Sequence, residues 1–72
     1  MELENGGQYQ CRKENYIAVI TDDVSEVDIL YCKKGYVFCV NTGKTIRGIC
    51  MWTSSGNYSI DHQTDYDILN AL

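Results

Sequence analysis

Residues Thr45–Ile60, TIRGICMWTSSGNYSI, decide the fold. Ile46, Gly48, Cys50 and Trp52 fall on one parity, the turn-forming residues Ser54-Ser55-Gly56-Asn57 follow, and Tyr58 and Ile60 resume an apolar pattern. Side chains on a strand point alternately to opposite faces, so the pattern predicts a β-hairpin that carries Ile46, Cys50 and Trp52 into a core. Gly56 suits the positive φ that a three-residue hairpin loop usually requires.

Upstream, the pattern repeats in shorter form. Tyr9–Arg12 and Tyr16–Thr21 flank a Lys13-Glu14-Asn15 turn signal and are expected to pair as a first hairpin. Asp22–Asp28 (DDVSEVD) is read as a solvated loop, too short for an independent helix. Its carboxylates lack the alternating spacing and central glycine of a calcium loop. Ile29–Cys32 and Tyr36–Asn41 are expected to form a second hairpin about Lys33-Lys34-Gly35, with Cys32 facing Val37 and Leu30 facing Cys39. Both faces of that hairpin are apolar. Asn41-Thr42-Gly43-Lys44 is a further turn. Gly48, inside the longest strand, is the expected place for a bend. Thr64 and Asp67 have the spacing of a capping box, which predicts one helical turn near His62–Asp65. A short last strand follows, and Tyr66–Leu69 is suited to lie against the first.

These elements predict one all-β domain over residues 1–72, with residues 1–7 a loose start. Four to six short strands without proline or a long helical period suggest a small, strongly bent barrel of about five antiparallel strands. Closure would remove the exposed sheet edges. At this length a chain hides only roughly 60% of its unfolded surface, so the core must be a handful of side chains.

The charge balance excludes some partners. Six Lys and Arg against ten Asp and Glu give a net charge of −4, which disfavours tracking along a phosphate backbone. No apolar run approaches the roughly 20 residues needed to span a bilayer, and the opening MELENGGQ has no signal-peptide character. A cytoplasmic location is expected.

Catalytic and metal chemistry find little support. Cys11, Cys32, Cys39 and Cys50 leave gaps of 20, 6 and 10 residues, unlike the local pairs of a zinc site. All four lie in apparent strands, where a reduced thiol acts as a small buried hydrophobe. His62 with Asp61 or Asp65 is the only acid–base candidate, and it falls in a polar turn. Gly43-Lys44-Thr45 echoes the end of a P-loop but lacks its first glycine and its helix. No catalytic residue, metal or cofactor is expected.

Three spacings carry a resemblance: G-x-Y-x-x-R at Gly7, Tyr9 and Arg12; W-T-x-x-G-x-Y at Trp52, Thr53, Gly56 and Tyr58; and D-I-L at Asp67–Leu69. Together, over residues 7–69, they resemble small SH3-like barrel proteins common in bacteriophage and prophage genomes. The resemblance implies a non-enzymatic viral accessory protein that binds a host or phage protein, such as a host enzyme or defence component, and inhibits or adapts it.

Aromatic side chains are the natural anchors for such contact, because they bring large area at low entropic cost. The candidate binding residues are Tyr31, Tyr36, Tyr58 and Tyr66, with Arg47 expected on the outer face to orient an anionic group. Trp52 is assigned to the core. Two alternatives stay open. One is capture of a small nucleotide-like ligand by Arg12, Lys44 and Arg47. The other is self-association through the two-sided apolar stretch Ile29–Val40, so that monomer and homodimer are both admitted. Single-stranded nucleic acid is a distant option, since small barrels can stack bases on aromatics.

Overall fold

The computed structural model describes residues 2–72. Five strands form one antiparallel sheet: β1 (Gln8–Cys11), β2 (Tyr16–Asp23), β3 (Lys33–Cys39), β4 (Thr45–Trp52) and β5 (Ile68–Ala71), in the order β4-β3-β2-β1-β5. No helix occurs among the described residues. The sheet is not closed, and β4 and β5 are its two edges.

The first hairpin forms as expected, with Tyr9 opposite Ala18 and the Tyr16 amide donating to the Lys13 carbonyl across the turn. β5 lies against β1, with Cys11 opposite Ile68. One face of the sheet holds the core: Tyr9, Cys11, Ala18, Ile20, Val37, Cys50, Trp52 and Ile68, joined by Leu3. The opposite face carries Ile17 paired with Phe38 and Val19 paired with Tyr36. Residues 3–6, expected to be loose, are held. Leu3 is buried, the Glu4 amide donates to the Tyr9 hydroxyl at 2.7 Å, and the Gly6 amide donates to the Ile20 carbonyl at 2.7 Å.

The second hairpin is not formed. Lys33–Cys39 is one continuous strand between β2 and β4, and Gly35 is its buried interior rather than a turn. β2 runs on to Asp23, so the acidic stretch begins inside a strand and its last two pairs are Asp22–Lys34 and Asp23–Lys33. Gly35 faces Ile20 where that register shifts. A Cβ there would run into the Val19 carbonyl oxygen, so the close approach of β2 and β3 requires glycine. Ile29–Tyr31 is loop, with the Asp28 carboxylate accepting from the Leu30 and Tyr31 amides, and Cys32 lies outside any strand.

The deciding stretch is half as expected. β4 forms and sends Cys50 and Trp52 inward, and Gly56 takes φ +94°. The return arm does not: Tyr58–Ile60 is irregular. The Gly56 carbonyl accepts from the Ile68 amide at 2.9 Å, so the turn delivers the chain toward β5. Ile46 remains exposed. β4 carries extra residues opposite β3 between the pairs Gly35–Cys50, Val37–Arg47 and Phe38–Thr45, and simple alternation fails across Gly48.

Candidate functional site

Asp67 builds the site. Its carboxylate accepts from the Tyr58 amide (3.0 Å), the Thr64 amide (3.1 Å) and the Thr64 hydroxyl (2.9 Å). Arg12 approaches it at 3.4 Å, and the Arg12 amide donates to the Asp67 carbonyl at 2.7 Å. The Thr64 amide bond to the Asp67 carboxylate is one half of a capping box; the Asp67 amide donates to the Thr64 carbonyl at 3.3 Å instead of to its hydroxyl. The Thr64 hydroxyl accepts from the Tyr66 amide, and the segment is a turn at Asp65–Tyr66 and not the expected helical turn. Burial alone would raise the Asp67 pKa. The bonds from Thr64, Tyr58 and Arg12 outweigh it and hold the carboxyl below its usual value.

Pinned in this way, the segment from Asn57 to Tyr66 folds over Trp52, whose indole N–H donates to the Tyr66 carbonyl at 2.8 Å. Four rings follow one another. Trp52 meets Tyr58 edge-on at 6.3 Å, Tyr58 lies 5.0 Å from Tyr66, and Tyr66 stacks on Tyr16 at 5.8 Å. Two cations sit over the tyrosines: Lys13 at 5.1 Å from the Tyr16 ring and Arg47 at 5.6 Å from Tyr66. Such placements are favourable because the ring face is electron-rich. Trp52 is fully buried, while Tyr16, Tyr58 and Tyr66 keep part of their surface open.

The candidate residues therefore divide. Tyr58, Tyr66 and Arg47 come together. Tyr31 lies near them, its hydroxyl accepting from the Ile60 amide at 3.2 Å, and it lines a cavity of about 390 Å³ with Asp28, Ile49, Cys50, Met51 and Tyr58. Tyr36 stands on the opposite face beside Val19. Arg47 is not on that outer face, because the irregular register pairs it with Val37, a core-side position. Tyr16 and Lys13 complete the row, and sequence reading missed them. Tyr16 looked like the start of a buried strand, and only the fold brings residues 16 and 66 together.

The other candidates stay apart. Arg12 faces Asp67, Arg47 lies over Tyr66, and Lys44 sits between β3 and β4, so the three converge on no common ligand. His62 is exposed with Nδ1 3.3 Å from the Ser59 hydroxyl, and no carboxylate orients its ring among the described hydrogen bonds. All four thiols are free and buried. Burial raises Cys11 to about 12 and Cys50 to about 11. Cys39 is different: burial opposes ionisation, but donors from Thr42, Asn41 and the Asn15 amide (3.2 Å) bring its pKa below the usual thiol value. Among the described residues no cluster of three or more His, Cys, Asp or Glu is placed to hold a metal, and no helix is long and apolar enough to cross a membrane.

No protein-family model, curated protein or solved structure matches the chain.

Proposed function

We propose that this protein acts by binding another protein, without catalysing a reaction, through the tyrosine row Tyr16–Tyr66–Tyr58 and its two cations. The observation that carries the reading is the grouping itself. Three partly open tyrosines in a continuous row, with the Arg47 guanidinium over one of them, have the composition of an interface hot spot, and Lys13 adds a second cation beside it. The pinned loop holds the rings before any partner arrives, which lowers the entropic cost of association.

The spacings at Gly7, Tyr9 and Arg12 and at Trp52–Tyr58 support a more specific reading. In it the sheet is an opened relative of an SH3-like barrel, and the chain is a phage-type accessory protein. It works in the host cytoplasm and inhibits or adapts a host enzyme or defence component. Tyr31 and Tyr36 belong to the contact surface only if it extends beyond the row.

Tagged protein recovered from its producing cell, with the co-purifying chains identified by mass spectrometry, tests this reading. A Lys13→Glu variant should lose the partner that wild type retains, and Tyr36→Ala should keep it. Retention by Lys13→Glu together with loss by Tyr36→Ala would move the contact to the opposite face.

A further inference from the structure

The geometry points to a second copy of this chain as the strand that continues the sheet past β4, with Arg47 of each copy entering the other's cavity beside Asp28. β4 is an edge: among the described residues β3 is its only ladder partner. No backbone bond outside that ladder involves Thr45–Trp52 among the described residues. Thr45–Ile49 is exposed throughout, with Ile49 72% accessible. An open edge of this kind is a template for another strand, and Arg47 is the only charge on it.

Two groups choose the occupant. Arg47 makes no ion pair among the described residues. In the Asp28 carboxylate, Oδ1 accepts from the Leu30 and Tyr31 amides, while Oδ2 has no partner among the described bonds. Asp28 lines the cavity with Tyr31, Tyr58 and β4 residues Ile49–Met51, so a carboxylate and two tyrosines stand beside the open strand. That lining suits a guanidinium, which bonds carboxylates and stacks on aromatic rings.

Register brings the two together. Between the pairs Gly35–Cys50 and Val37–Arg47, β4 has one residue more than β3. When two copies of β4 pair antiparallel about a two-fold axis normal to the sheet, Gly48-Ile49 faces Gly48-Ile49. Arg47 of one copy then falls opposite Cys50 of the other, on the same face. Cys50 is part of the cavity wall, so each Arg47 leaves Tyr66 and stands at the mouth of the other copy's cavity. The contact is self-complementary, as a two-fold interface must be, and it occurs twice. Arg47 and Tyr58 belong to both surfaces. The two readings are therefore separated by Lys13→Glu, which touches only the tyrosine row, and Asp28→Asn, which touches only the contact between copies.

Sedimentation equilibrium of the full chain tests the proposal. Wild type should approach about 16 kDa, twice the 8.2 kDa of the chain. Arg47→Glu should raise the dimer dissociation constant by about tenfold or more, given the coupling of close charge pairs across interfaces. Asp28→Asn keeps the Oδ1 acceptor that orders its loop and should weaken the dimer in the same direction. A monomer at all concentrations up to about millimolar, where affinity reaches only about 4 kcal/mol, would overturn the proposal. So would a dimer that ignores both Arg47→Glu and Asp28→Asn.

Discussion

Asp67 is the residue on which the site's shape depends most. A buried carboxylate is tolerable only when its oxygens are satisfied, and here amides, a hydroxyl and Arg12 satisfy them. Asp67→Ala should cost about 2–4 kcal/mol, because it leaves the Tyr58 and Thr64 donors without an acceptor. Urea unfolding followed by Trp52 fluorescence would measure it. The folded pKa lies below the ordinary value of about 3.9, so Asp67 adds stability that is complete above that value and drains away as pH falls through the folded pKa. Stability of an Asp67→Asn variant should accordingly fall less steeply than wild type below about pH 4. Equal slopes would remove Asp67 from the acid limb.

Thiol chemistry offers a second residue-level check. Cys11 and Cys50 are raised well above the ordinary thiol value, whereas Cys39 is lowered by its amide and hydroxyl donors. Nucleophilicity follows the thiolate population. Iodoacetamide labelling of native protein at neutral pH, read by peptide mass spectrometry, should therefore modify Cys39 before Cys11 or Cys50. Earlier labelling of Cys11 would mean that its strand opens more readily than β3.

Among the elements, β3 shows best what the sequence conceals. Lys33-Lys34-Gly35 has the composition of a turn, and local composition is all that a hairpin rule can use. Its role in mid-strand depends on Val19 and Ile20, fifteen or so residues earlier, whose backbone passes where a side chain would have been. Gly35→Ala should therefore destabilise by about 2 kcal/mol or more, since the clash is with backbone that cannot rotate away. Thermal unfolding by circular dichroism checks this, and an unchanged midpoint would return Gly35 to a loop. Tyr9–Arg12, Tyr16–Thr21 and residues 50–52 of β4 were legible because alternation and turn chemistry agreed there. Arg47 and Ile46 were not, because the extra residues in β4 reset parity without any local signal.

For the whole molecule, the pairings at Trp52 and Asp67 explain how so small a chain presents an ordered surface. Leu3, Ile20, Val37 and Trp52 are buried on one side of the sheet, and the segment from Asn57 to Tyr66 is drawn across their edge. Trp52→Ala should cost about 3–5 kcal/mol, enough to unfold a domain whose total stability is of that order. Inward burial of Trp52, Cys11 and Cys50 was readable from period-two spacing, whereas Cys32 is buried from a loop. The tyrosine row was only half readable, since Tyr58 and Tyr66 stood out as aromatics while their stacking with Tyr16 depends on tertiary contact.

Recognition through that row is the central claim, and an amide NMR titration of labelled protein with its co-purified partner tests it most directly. Shifts concentrated at Lys13, Tyr16, Tyr58 and Tyr66 are expected. A response confined to Ile17, Val19, Tyr36 and Phe38 would contradict the claim and place the partner on the other side of the sheet.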